Sequence, residues 1–230
     1  MNIIRQPFRY ENNGTVYWLI GINILVFVAM YFLRLGGLVD LLSMIPRKVI
    51  EGRIWTFITY MFVHGGVSHI LFNMLALLIF GMHVERQMGS REFLLFYFIT
   101  GALAGVFSFA VYYFTSLSNL SSLHAAGLAE LTIDNLRLMH VRLMGASGAI
   151  FAIELAYAIF FPRSIIYLWG ILPLRAPVMV LGFTALELVS SIFGLNQGVA
   201  HLTHLAGFGF AWLYFVIRFG INPWNRLRSG

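Results

Sequence analysis

Val16-Tyr-Trp-Leu-Ile-Gly-Ile-Asn-Ile-Leu-Val-Phe-Val-Ala-Met-Tyr-Phe-Leu33 runs for 18 residues without a charge. A helix rises ~1.5 Å per residue, so about 20 largely apolar residues cross a ~30 Å hydrocarbon layer. With its flanks this run fills such a window, 16–35, and five more follow at 67–84, 93–114, 145–161, 177–193 and 200–218. The first run is too long for a signal-peptide core and lacks a small-residue cleavage site, so it reads as a helix that stays in the membrane. Composition agrees: of 230 residues 60% are hydrophobic and 10% charged, against roughly 25% charge in a soluble domain. A chain with a mean hydropathy of +0.83 cannot cover itself with polar surface, which excludes intrinsic disorder, a nucleic-acid-binding arm and an ordinary cytosolic enzyme. The fold class expected is an all-α membrane protein, a bundle of six transmembrane helices.

The windows set the expected organisation: residues 1–15 as a short N-terminal segment, 16–218 as the membrane domain and 219–230 as a short tail. Between the first two windows, Gly36 to Gly66 is too apolar for a solvated loop and too interrupted by Pro46, Arg47, Lys48 and Arg53 for a span. It reads as an interfacial, partly re-entrant first loop. The connection 115–144 carries serines at 116, 118, 121 and 122 with Asp134, Arg137 and Arg142, and reads as an aqueous loop with a short helix near 127–140. Six spans put both termini on one side, together with nine arginines, against six basic residues on the other, which favours cytoplasmic termini and a bacterial cell (inner) membrane. The net charge of +6 is thus read as topology markers rather than as a site for nucleic acid. Cysteine is absent, so thiolate metal sites and cysteine nucleophiles are excluded.

Polar residues inside spans are costly and are functional candidates by default. The second window opens with His69-Ile-Leu-Phe-Asn73, an imidazole and a carboxamide at i and i+4 on one face. The fourth opens with Gly145-Ala146-Ser147-Gly148 and the sixth with His201-Leu-Thr-His204-Leu-Ala-Gly207. Two complete spans separate each site from the next, so all three lie on one side of the membrane. Ser147 to Phe161 is 14 residues, His204 to Arg218 is 14 and His69 to Glu85 is 16, so each sits ~21–24 Å above the opposite helix end. A serine, two histidines and an asparagine therefore converge at one depth, as amide hydrolysis needs. Ser147 would be the nucleophile and His204 its general base. The Ser147 N–H at a helix N-terminus, with the side chains of His69 and Asn73, would form the oxyanion hole. Gly145, Gly148 and Gly207 would let two helix backbones approach closely.

These four motifs, the last being Glu85-Arg-Gln-Met-Gly-Ser-Arg-Glu-Phe-Leu, closely resemble the rhomboid intramembrane serine proteases over about residues 50–218. The resemblance implies a Ser147/His204 dyad without a third carboxylate, transmembrane protein substrates met in the lipid bilayer, water access from the outer face and no cofactor or metal. It also gives His64 a structural role in the first loop. Two positions depart from the family. Trp55 is followed by Thr56 where an arginine is common, leaving Arg53 as the nearest substitute. Phe151 stands where many members stack a tyrosine on the catalytic imidazole, so stacking survives and the hydroxyl is lost.

Other function classes fit less well. A catalytically inactive rhomboid-like protein that binds membrane clients would normally lack the serine or the histidine. A metal or haem site at His201, His204, His64 and His69 would lack carboxylate or thiolate company and leave Ser147 unexplained. A transporter would want several buried charges, whereas only Glu154 and Glu187 lie away from the window ends. Glu154 follows Ser147 by seven residues and returns to its helix face ~10 Å deeper, too far to orient the imidazole. It is expected to be protonated or hydrogen-bonded to a neighbouring helix. The fifth window and the connection Gly194-Leu-Asn-Gln-Gly198, with two glycines and no charge, are expected to form a lateral gate.

Overall fold

The computed structural model describes residues 7–128, 132, 136–168, 170–192 and 198–228. Its helices are α1 (Thr15–Tyr31), α2 (Gly36–Leu42), α3 (Pro46–Ile50), α4 (Thr56–Thr59), α5 (Val67–Met88), α6 (Ser90–Ala125), α7 (Ser147–Phe160), α8 (Ala176–Ile192), α9 (Gly198–Tyr214) and α10 (Pro223–Leu227). The chain is an all-α membrane bundle. Three helices are long and apolar enough to cross a membrane, Val67–Met88, Ser90–Ala125 and His201–Phe219, and three shorter apolar helices occupy the remaining windows. α5 passes through a π-helical turn at Leu77–Gly81, and α9 runs on into another at Phe215–Phe219.

α7 is the centre of the bundle. Ten of its 14 residues are buried, among them Ala149, Ala152, Ala156 and Ala158. Small side chains here let α5, α6, α8 and α9 pack closely around it. α1 shows the opposite pattern: Val16, Leu19, Asn23, Phe27 and Met30 recur at helical spacing on its buried face, while Trp18, Leu25 and Phe32 face outward. Its first turn has no side-chain cap, and Gly14 precedes it with φ +64°. The missing acceptor comes from the end of α5, where the Glu85 carboxylate accepts the Thr15 N–H at 2.7 Å and the Val16 N–H at 3.1 Å. Ser90, opening α6, donates its hydroxyl to the same carboxylate and accepts the Asn13 N–H at 2.7 Å. Further along, the Glu92 carboxylate is fully buried and receives the Arg218 guanidinium at 2.8 and 2.9 Å and the Tyr214 hydroxyl.

The first loop folds into α2, α3, α4 and a 3₁₀ turn, Tyr60–Phe62, packed on α6 rather than spread in solvent. Tyr60 and Met61 are buried, and the Tyr60 hydroxyl donates to the Gly101 carbonyl of α6 at 2.7 Å. Arg53 takes over the anchoring: its guanidinium donates to the Asp40 carbonyl at 3.0 Å and to the Asp40 carboxylate at 3.3 Å. Trp55 Nε1 and the Thr59 hydroxyl donate to the Leu41 and Leu42 carbonyls at 3.1 and 2.8 Å.

Two connections differ from expectation. The one expected to start at 115 starts only after Ala125, because α6 continues through the serines. Ser121 and Ser122 satisfy their hydroxyls on the Ser118 carbonyl at 2.8 and 3.1 Å, so the run is polar by composition yet helical by hydrogen bonding. The short helix sought at 127–140 is a 3₁₀ turn over Arg137–His140; Asp134 lies outside the described residues. Between α7 and α8 an unforeseen antiparallel hairpin pairs β1 (Ile165–Leu168) with β2 (Leu172–Arg175), Ile165 opposite Arg175.

Candidate active site

Ser147 occupies the first position of α7, where backbone N–H groups have no intrahelical acceptor and no side chain caps them. A turn fixed from the first loop aims it. Met44 and Leu143 pair as an antiparallel bridge, and the Gly145 N–H donates to the Tyr60 carbonyl at 2.9 Å. Gly145 holds φ +118°, which side chains rarely adopt, and a Cβ there would lie 2.6 Å from His69 Nε2. This glycine therefore brings the His69 ring against the turn that carries Ser147.

His204 reaches the serine from α9: its Nε2 lies 2.8 Å from Ser147 Oγ. The approach depends on Gly207, whose absent Cβ would overlap the Gly148 carbonyl oxygen. Between His201 and His204, buried Thr203 shares a 2.6 Å hydrogen bond with Ser108 of α6, fixing the rotation of α9. Phe151, one turn along α7 from Ser147, stacks on the His204 ring with centroids 4.3 Å apart and planes 7° apart. The stacking expected of Phe151 is present.

On the other wall, His69 Nδ1 accepts the Gly65 N–H at 3.3 Å. A donor on Nδ1 leaves the proton of the neutral ring on Nε2, the nitrogen that faces the Gly145 turn. Asn73 is buried one turn along α5 and donates one amide hydrogen to the His69 carbonyl at 2.9 Å. Among the described residues it has no hydrogen bond to Ser147 or His204. His64 is buried against His69, ring centroids 5.1 Å apart and nearly perpendicular. Burial, helped by the neighbouring His69, pushes the His64 imidazole down to about 4.

The sequence reading missed one residue. Glu187 of α8 sets Oε1 3.0 Å from His204 Nδ1 and Oε2 2.5 Å from His201 Nδ1. The dyad implied by resemblance therefore has a carboxylate beside it, and the histidines do not lack carboxylate company as expected. The His204 contact is bent outside hydrogen-bond alignment, so it is a close approach rather than an in-line bond. His201 lies within α9, one turn before His204. Glu154 is buried in α7, one carboxylate oxygen without a partner among the described residues.

The ligand atoms of Glu187, His201 and His204 lie within 4.8 Å of one another and could in principle hold a metal. A tetrahedral zinc site with bonds of ~2.0–2.1 Å separates its ligand atoms by about 3.3 Å. The 2.5 Å between Glu187 and His201 is shorter than that spacing and is a hydrogen-bond contact. Of the expected gate, residues 193–197 lie outside the described residues.

Comparison with protein families matches residues 51–221 to the family described as the Rhomboid domain. Among curated proteins, "Rhomboid-like protein 16, chloroplastic" of Arabidopsis thaliana is 30% identical over 95% of this chain and 63% of its own length. "RHOMBOID-like protein 12, mitochondrial" of the same plant is 31% identical over 78% and 48%. "Rhomboid protease AarA" of Providencia stuartii is 28% identical over 80% and 62%. The chain spans about half to two thirds of the length of these relatives. The two plant relatives are named for organelles, so the expected bacterial inner membrane is not supported; what stands is an integral membrane protein.

Proposed function

The chain belongs to the rhomboid family, and from that premise we propose that it is an intramembrane serine endopeptidase that cuts transmembrane segments of membrane proteins. The observation that carries the reading is the Ser147 hydroxyl 2.8 Å from His204 Nε2 at the uncapped N-terminus of α7. The relatives include one named as a protease, and the dyad residues of that chemistry are both present here.

In the proposed cycle His204 Nε2 takes the Ser147 proton as Oγ attacks the scissile carbonyl. The oxyanion that forms accepts hydrogen bonds from the Ser147 N–H, from His69 Nε2–H and from the second amide hydrogen of Asn73. Collapse returns the proton from His204 to the leaving amine, and a water activated by the same imidazole releases the acyl-enzyme. Phe151 keeps the imidazole plane fixed through both transfers. We further propose that all six apolar helices span the bilayer with the termini cytoplasmic, following the arginine distribution.

The test uses purified protein in detergent, a fluorophosphonate probe and a model transmembrane substrate. Wild type is labelled at Ser147 and cleaves; Ser147→Ala loses both, and His204→Ala loses cleavage, each still folded. An unlabelled wild type that binds but never cuts the substrate overturns the proposal in favour of an inactive client-binding relative.

A further inference from the structure

We infer that Glu187 is a positioning residue for the general base, so that the site works as a Ser147–His204–Glu187 relay carried on three helices, α7, α9 and α8. The inference rests on the proteolytic reading above and deepens it.

The geometry singles out one nitrogen. Stacked on Phe151, the His204 ring has a single in-plane freedom, and Nε2 is spent on Ser147. Only Nδ1 is left, and the atom it meets is Glu187 Oε1 at 3.0 Å. An acceptor there holds the proton on Nδ1 and leaves Nε2 unprotonated, the tautomer needed to receive the serine proton. During attack one proton moves, from Ser147 Oγ to His204 Nε2. The Nδ1 proton stays where it is, and the carboxylate stabilises the imidazolium without being protonated. The bent approach closes to an aligned bond by a small carboxylate rotation, a tightening common on going from a resting site to a transition state.

A purely packing role fails to explain why the carboxylate is shared. Glu187 is about one sixth exposed, with both oxygens directed at imidazole nitrogens rather than at solvent. His201 holds Oε2 and so prevents the carboxylate from turning away from His204. The charged and titratable groups around this relay are His201 on α9, Glu154 on α7, within electrostatic range of Glu187, and His69 on α5, within range of His204.

The test compares Glu187→Gln and Glu187→Asp with wild type for kcat, KM and the pH profile of kcat/KM on the model substrate. Glu187→Gln is expected to lower kcat about 10–100-fold with KM within threefold. The acid limb of kcat/KM should move to lower pH by about one unit, since an imidazolium without its counter-charge loses its proton more readily. Glu187→Asp should recover a large part of kcat. Independently of turnover, ¹⁵N-histidine NMR in the Ser147→Ala background should show His204 as the Nδ1–H tautomer, a preference lost on adding Glu187→Gln. An active wild type with an unchanged kcat, pH limb and tautomer in folded Glu187→Gln overturns the inference and leaves the protease reading standing. A wild type that fails to cleave overturns the protease reading first.

Discussion

Replacing Gly207 by alanine adds one methyl group to a residue that takes no part in the reaction, and the structure says what it costs. The new Cβ would overlap the Gly148 carbonyl oxygen and stand 3.0 Å from the carbonyl carbon and 3.4 Å from Cα. Backbone cannot rotate aside as a side chain can, so α9 and α7 must part by about 1 Å before the new Cβ clears the carbonyl oxygen. Ser147 and His204 sit on these same two helices, and their 2.8 Å hydrogen bond would lengthen to about 3.8 Å, beyond useful range. A misplacement of ~1 Å is worth ~10² in rate, so kcat should fall about 100-fold, or ~2.7 kcal/mol of activation free energy, with KM little changed. Overpacking of this kind also costs ~1–3 kcal/mol of stability, which thermal unfolding in detergent measures separately. Steady-state cleavage by the folded variant decides the matter. A folded Gly207→Ala enzyme within threefold of wild-type kcat would show that the close helix approach does not set the dyad distance.

Other expectations follow from single contacts. Asn73→Ala should lower kcat by up to ~10²–10³, less if His69 and the Ser147 N–H compensate, and an effect on KM alone would remove Asn73 from the oxyanion hole. Glu154→Gln keeps shape and most hydrogen-bonding capacity, so the folded variant should retain most activity; a loss of several orders of magnitude would place Glu154 in the chemistry. Cross-linking α8 to α5 through engineered cysteines should stop cleavage of a transmembrane substrate while labelling of Ser147 by a small fluorophosphonate survives, and unchanged turnover would refute entry between these helices. His64 is neutral in the fold with its imidazole held at about 4. Because the unfolded chain binds that proton at ~6.5, stability should decline as pH falls from 6.5 towards 4, by about 3 kcal/mol in all. His64→Phe should flatten that slope in denaturation measured across the range, and an identical slope would show that other groups carry it.

The site was legible where chemistry lies in local sequence. His69 and Asn73 share a face by helical spacing, and Ser147 between glycines announces a helix start. Matched depths then require the serine and His204 to meet. Glu187 escaped because its partners lie 14 and 17 residues on, in the next helix; a lone carboxylate in an apolar window reveals its position along the helix but not which neighbour it faces. The six apolar windows each hold a helix, since an apolar run surrounded by apolar groups satisfies its backbone N–H and C=O groups within the segment. The serine-rich end of α6 was misread since hydroxyls bonded to their own helix look polar only in composition. The β hairpin has no such excuse of length: Gly170 at φ +74° closes its turn, a signal present in the sequence and outweighed by the expectation of helices alone.

Glu85 gives the bundle an order in time as well as in space. The amides of Thr15 and Val16 find their acceptor 70 and 69 residues downstream. At ~5–20 residues per second, a ribosome that has just added Thr15 needs about 4–14 s to deliver that acceptor. Throughout that interval the exposed amides of α1 must be served by water or lipid headgroups, which confines this end of the helix to the interface during insertion. When Glu85 and then Ser90 emerge, the same carboxylate gathers the start of α1, the end of α5 and the start of α6 into one knot. A carboxylate remote from the reaction thereby acts as the latch that closes the first half of the nascent bundle, and a Glu85→Ala chain should show its defect in assembly yield rather than in the turnover of the molecules that do assemble.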